Sequence, residues 1–382
     1  MHLKSYVTAA LYGLPALTNA APSAASYSQP ATPSPSASGS NDPFREYTIK
    51  AENITAKVIP YGARLTSLLV PDRDGHDQDV VVGYDDPKYY LHDSETNRTF
   101  FGATVVAHPE NENGGLDTLH GGFIGYDMRN WTVTAHSDSS VTFTLLDQGF
   151  QDFPGDVISH ATFSVSTEKS AENPKGLPQL TTKLVSLALT EKTPIMLANH
   201  IYWNLNRFIA ADSIEIPTGD ILDVDTAYKG ALDFTQPKLI GKDIEKTTDL
   251  CGGGCTGYDT CWIIDRPAAY AAPNSVVPSV RLASDKTGIS LDVATNQAAL
   301  QVYTCNGQNG TIATKESQAK RNKATNGDSG ATHVNKYGCI VIETEDWIDG
   351  INNPQWGRDE YQIFGPDDGP VVNFATYQFG TF

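Results

Sequence analysis

The sequence is short of cations. Its 382 residues carry 27 Lys and Arg against 45 Asp and Glu, a formal charge of −18. Phosphate backbones are held by clustered Lys and Arg, so the balance argues against nucleic acid and against an anionic membrane surface as partners. Long apolar runs are also missing. The stretch 6–17 is too short to span a bilayer, and nothing later qualifies as a transmembrane helix. Cysteine is sparse, with only Cys251, Cys255, Cys261, Cys305 and Cys339. No second Cys or His pair stands at zinc-site spacing, so a metal site is disfavoured and disulfides are the better reading. Cys251–Cys255 and Cys255–Cys261 are possible local bridges, with one cysteine left over. Sustained 3.6-residue periodicity is absent as well, which argues against a helical bundle. What remains fits an acidic, soluble protein acting on a neutral ligand.

The N-terminus has the form of a secretory signal over residues 1–21: a short basic start, an apolar segment and small residues near Ala20 and Ala21. Residues 22–43, rich in Ser, Pro and Ala, read as a linker that cannot bury a core. Asn-x-Ser/Thr sequons begin at Asn53, Asn97, Asn130 and Asn309, and two or three of them are expected to carry glycans. The expected location is extracellular.

From residue 44 to 382 the chain reads as one domain of strands punctuated by turns. Stretches 47–51, 54–59, 63–70, 131–135, 141–146, 158–165 and 180–189 alternate apolar and polar residues. Residues 80–84 read as a short buried strand, and 86–91 as a helical turn. Segments 249–258 and 306–335 read as long loops. The expected class is all-β, a large antiparallel sandwich.

Four places could carry chemistry. Residues 109–127 set His120 among two Gly-Gly pairs, carboxylates and amides, a loop composition suited to close approach of a ligand. Asn199-His-Ile-Tyr-Trp-Asn204 follows an apolar strand and puts His200 among aromatics and amides; aromatics offer flat faces to sugar rings, and Asn and His offer directed hydrogen bonds. Glu343 ends the apolar run 338–342, and Asp259 stands at the mouth of another strand. Either carboxylate could equally face solvent.

Taken together, five short motifs in order resemble the aldose 1-epimerase (galactose mutarotase) family, over most of residues 47–382. They are Thr118-Leu-His-Gly-Gly-Phe-Ile-Gly-Tyr-Asp127, Asn199-His-Ile-Tyr-Trp-Asn-Leu205, Pro217-Thr-Gly219 with Leu232-Asp-Phe234, Tyr258-Asp-Thr-Cys-Trp262, and Val341-Ile-Glu-Thr-Glu345 followed by Asn352-Asn-Pro354. The resemblance implies a β-supersandwich that interconverts the α and β anomers of free hexoses without metal or redox cofactor. Its substrate would be a monosaccharide, and a monomer or weak dimer is the expected state. By the same resemblance Glu343 would be the general base and His200 the general acid. His120, Asp259, Tyr202 and Asn204 would contact the sugar. Two departures stand out. A Gly-Arg-x-Ala-Asn-Arg-Ile motif, whose arginine helps bind sugar in the family, has no counterpart between Phe101-Gly-Ala and Pro109, which implies uncovered apolar side chains there. Glu345 stands where the family has Gln.

Mutarotation needs one acid and one base on opposite oxygens of the acetal carbon. A carboxylate near pKa about 4 and an imidazole near about 6.5 would together favour a mildly acidic optimum. Other activities share parts of this pattern. A hexose 6-phosphate epimerase would need a basic cleft, and a glycoside hydrolase would release a reducing end. A non-catalytic carbohydrate-binding relative would bind sugar without speeding anomer exchange.

Overall fold

Alternation becomes pairing in the longest strands. In Asp156–Glu168 and Leu177–Ala188 every second side chain is buried, and the two pair antiparallel along their whole length. They belong to a nine-stranded antiparallel sheet whose middle strand is Val371–Thr381 and which also takes in Ile289–Thr295 and Val277–Ser284. The computed structural model describes residues 42–106, 119–171, 173–174, 176–205, 212–215, 220–221, 230–234, 237–248, 254–264, 275–326 and 330–382. The expected signal segment, the linker up to residue 41, and Pro217-Thr-Gly219 lie outside these residues.

Two smaller sheets face the large one. The first pairs Tyr47–Ala51, Ile54–Ile59, Arg64–Pro71 and Asp77–Asp79 in sequence order. The second runs Tyr202–Trp203, Ile340–Glu345, Ala299–Tyr303, Asp259–Ile263 and Asp220–Ile221. Inward side chains of all three sheets share one core. Ile49 and Leu65 come from the first small sheet, Trp262 and Leu300 from the second, and Phe163 and Tyr377 from the large one. Each such side chain removed from water contributes roughly 1.5–3 kcal/mol. The expected all-β sandwich is therefore the architecture found.

Some local readings change. Residues 80–84 form no strand: Val81 makes an isolated bridge to Trp203, and the neighbouring strand is Asp77–Asp79. The helical turn at 86–91 is the start of a true helix, Tyr89–Thr96. Segment 306–335 is not all loop, because it contains the helix Glu316–Asn326. That helix has no apolar stripe and is anchored by polar bonds instead. Gln318 donates to Val81 O at 2.9 Å, and Lys315, just before the helix, bonds Asp79 at 3.0 Å and Val81 O at 2.9 Å. Cys305 and Cys339 form a disulfide that closes the base of this excursion. Cys255 is also disulfide-bonded, while Cys261 is free and buried, so the Cys255–Cys261 alternative is not realised.

Candidate active site

The second small sheet sorts its residues by parity. Register pairs Gln301 with Glu343 and Cys261 with Gln301, so Cys261, Gln301 and Glu343 form a row on one face. Asp259 and Tyr303 stand one pair further along that face, and Ala299 and Glu345 one pair the other way. The opposite face carries Trp262, Leu300, Val302, Ile340 and Ile342 into the core. The sheet thus separates an apolar side from a side rich in titratable groups. Gln301 donates to Asp259 Oδ1 at 2.6 Å, which fixes that carboxylate beside the row.

His200 arrives from the adjoining strand Leu197–His200, paired with Ala103–Val106. Its Nε2 stands 3.6 Å from Glu343 Oε1, and both residues are 5% exposed or less. The His200 ring stacks on Tyr202 with centroids 5.0 Å apart. Phe100 packs against it at 5.6 Å and against His120 at 4.4 Å, and the two histidine rings meet edge-on at 5.0 Å.

His120 owes its place to a tight turn. Its own backbone is left-handed, with φ of 48° and ψ of 37°, a conformation that histidine adopts more readily than most residues. A Cβ on Gly125 would stand 2.4 Å from His120 O and 2.6 Å from Asp127 Oδ1, so only glycine lets the loop fold back on itself there. Arg98 donates to Gly122 O at 2.6 Å, lies over the Phe100 ring, and faces Asp127 at 3.7 Å. Asp127 is fully buried between Arg98 and the equally buried Arg64, which donates to Asp127 O at 2.9 Å. Arginine 98 therefore braces the histidine loop from behind. Phe123 and Ile124, on the same loop, stand 88% and 41% exposed, while Pro109, beside which uncovered apolar side chains were expected, lies outside the described residues.

Of the residues singled out from sequence, the structure gathers His120, His200, Glu343 and Asp259, with Tyr202 under the His200 ring. Asn204 stands apart. Its amide donates to Gly338 O at 2.6 Å and accepts from Arg321 at 3.3 Å, tying strand to helix. Phe100 and Gln301 escaped notice in the sequence, and the Asn97-Arg98 pair takes no role there because it precedes the Phe101-Gly-Ala strand. Only Gln301 had a readable signal, as the cross-strand neighbour that period-two alternation would place beside a carboxylate.

Burial sets the proton positions. It pushes the His200 imidazole down to about 3, and it pushes Glu343 well above the usual carboxylate range, with the nearby Asp259 charge adding to that rise. Both effects oppose charge, so burial favours a neutral imidazole beside a protonated carboxyl. Among protein groups alone that proton rests on Glu343. The mildly acidic optimum was expected from ordinary pKa values, and burial moves both groups away from those values. Of metal-ligand clusters among the described residues, Asp72, Asp74 and His76 come together, on the exposed surface rather than here.

The family profile described as "Aldose 1-epimerase" matches residues 45–363. A protein of Arthroderma benhamiae named a probable aldose 1-epimerase is 51% identical, over 89% of this chain and 87% of its own length. Mouse galactose mutarotase is 25% identical, over 84% and 90%. Among solved structures, a GalM/aldose epimerase homologue from C. elegans superposes with a TM-score of 0.67 at 22% identity, covering 88% of this chain and 99% of that one. Galactose 1-epimerase from Lactobacillus acidophilus gives 0.62, also at 22% identity, covering 88% and 94%. With a profile that spans both histidine segments, the Asp259 strand and the Glu343 strand, this chain belongs to the aldose 1-epimerase family.

Proposed function

We propose that the chain interconverts the α and β anomers of free aldohexoses, with Glu343 and His200 exchanging the protons. The observation that carries this reading is the buried contact of 3.6 Å between His200 Nε2 and Glu343 Oε1. Ring opening needs one proton removed from the C1 hydroxyl and one delivered to the ring oxygen. The count is conserved, so an acid and a base that share one proton suffice. In the assigned roles Glu343 takes the hydroxyl proton as the C1=O bond forms. His200 then protonates the ring oxygen as its bond to C1 breaks. Rotation about C1–C2 and reclosure by the reverse steps give the other anomer.

For Glu343 to act as base, its proton must first pass to His200. A sugar hydroxyl donating to the carboxylate favours the ionised form, and the His200 nitrogen is within reach to receive the proton. His120, Asp259 and Tyr202 supply hydrogen-bonding groups and an aromatic wall around the pair. Positioned proton transfers typically contribute about 10²–10⁴-fold each. Polarimetry of freshly dissolved α-glucose and α-galactose tests the assignment. Glu343→Gln and His200→Asn should each slow exchange by about that factor. Equal rates for the wild type and both variants would overturn it. Saturable sugar binding without acceleration would favour a binding protein, and a released reducing end a hydrolase.

The same proposal places the protein outside the cell. All four sequon asparagines, Asn53, Asn97, Asn130 and Asn309, stand on exposed positions. The Cys305–Cys339 disulfide suits an oxidising compartment. Secretion from a eukaryotic host with a mass shift on deglycosylation is the expected result, and a cell-retained, unglycosylated product would count against it.

A further inference from the structure

Glu345 is the one carboxylate on the site-facing side of its strand that the proposed chemistry does not use. It sits two residues beyond Glu343, on the same face, and is 0% exposed. Neither carboxyl oxygen has a hydrogen-bond partner among the described residues. Among the described residues no cation answers it either: Arg358 is spent on Asp346, reached at 2.9 Å from Nε and 2.7 Å from Nη2. Its cross-strand neighbour is Ala299, with the Cys261 thiol on the strand beyond. Trp347, Ile348 and Trp356 pack against Ala299 and Cys261. The charged or titratable groups around it are thus Glu343 on its own strand, Asp346 with Arg358, and the Cys261 thiol, while Asp259 acts on Glu343 from the far side of the row. An ionised carboxylate cannot persist in such a place, because every desolvated oxygen would go unanswered.

We propose that Glu345 is a neutral carboxylic acid in the working protein, a positioning residue that keeps a second negative charge away from Glu343. Two residues on a strand stand about 6.6 Å apart. A fixed negative charge at that distance, behind a protein interior, would hold the Glu343 proton against a rise of roughly one to two pH units. With Glu345 protonated, that bias is absent, and the Glu343–His200 pair responds to the sugar alone. Burial and the neighbouring Glu343 and Asp346 raise the proton affinity of Glu345, in agreement with this state. The catalytic part of the inference rests on the mutarotase reading, but the protonation state does not.

The test is a thermal-denaturation series for the wild type and Glu345→Gln, an amide of the same shape as the neutral acid, with Glu343→Gln and the double variant completing the cycle. A folded state that retains a proton the unfolded chain releases loses stability as pH rises above the ordinary glutamate value of about 4.3. The Tm of Glu345→Gln should therefore rise above that of the wild type by a margin that widens with pH. In Glu343→Gln, where the neighbouring charge is gone, the widening for Glu345 should change. The acid limb of kcat/KM for Glu345→Gln should coincide with the wild-type limb. A Tm margin independent of pH, or an acid limb lowered by roughly one to two pH units, means Glu345 is ionised and overturns the proposal. If the wild type proves inactive on sugars the mutarotase reading fails, and the Tm series still decides the state of Glu345.

Discussion

His200 enters the folded state at an electrostatic cost. Its imidazole would titrate at about 6.5 in the unfolded chain, and burial brings it down to about 3. The unfolded chain therefore binds the extra proton between those two values, and stability present above about 6.5 is lost as pH falls toward about 3. The loss from this one group is on the order of 4 kcal/mol by the acid end. His200→Asn should flatten the fall of Tm between about pH 6.5 and 3.5, because the asparagine has no proton to take up. An unchanged slope in the variant would mean that His200 is charged in the fold. Activity should follow the same proton count. Anomer exchange is expected to stay high through neutral pH and to fall on the acid side only as His200 takes a second proton. A bell centred near pH 5.5, as isolated side chains suggest, would contradict the buried pair.

At the scale of elements, the strand Ile340–Glu345 shows why part of the site was legible and part was not. Alternation in Val341-Ile-Glu-Thr-Glu already puts Glu343 and Glu345 on one face, and the short motifs around both histidines fix their order along the chain. The helix Glu316–Asn326 gave no such signal, because its anchors are Lys315, Gln318 and Arg321 bonding backbone carbonyls rather than an apolar stripe. Phe100 was hidden for a different reason. Its contact with both histidines depends on three segments meeting, which no local pattern encodes. Two predictions belong here. Cys305→Ser with Cys339→Ser should lower stability by about 2–4 kcal/mol, since the bridge closes the excursion between them, and limited proteolysis should then cut within 306–338. Losses confined to the unbridged form under non-reducing conditions would bear this out; equal Tm values would not. Arg98→Met should free the loop that carries His120 and leave Asp127 with one cation, at a cost of roughly 1–3 kcal/mol. On the proposed assignment, in which His120 contacts the sugar while Glu343 and His200 move the protons, it should also raise KM for hexose by more than it lowers kcat. A kcat loss with KM unchanged would argue that Arg98 acts on the chemistry itself.

For the whole molecule, the charge of −18 selects among sugars before any contact is made. The site-facing row adds the Asp259 carboxylate, with Glu343 and Glu345 held neutral by burial, while the nearby cations among the described residues are committed: Arg64 and Arg98 to Asp127, and Arg358 to Asp346. A hexose carrying a phosphate would approach a surface of its own sign and find no free guanidinium among these to receive it. A neutral hexose feels neither effect. The kcat/KM for glucose or galactose should therefore hardly change between low salt and about 0.15 M, where the screening length shrinks to about 8 Å. Glucose 6-phosphate should be a poor substrate at low salt and improve as salt screens the repulsion, since like-charge fields slow encounter most when unscreened. Both rates can be read by polarimetry in one salt series. Turnover of the phosphorylated sugar that equals or exceeds that of the neutral one at low salt would show that a cationic pocket receives the phosphate, and would move the substrate class from free hexoses to their 6-phosphates.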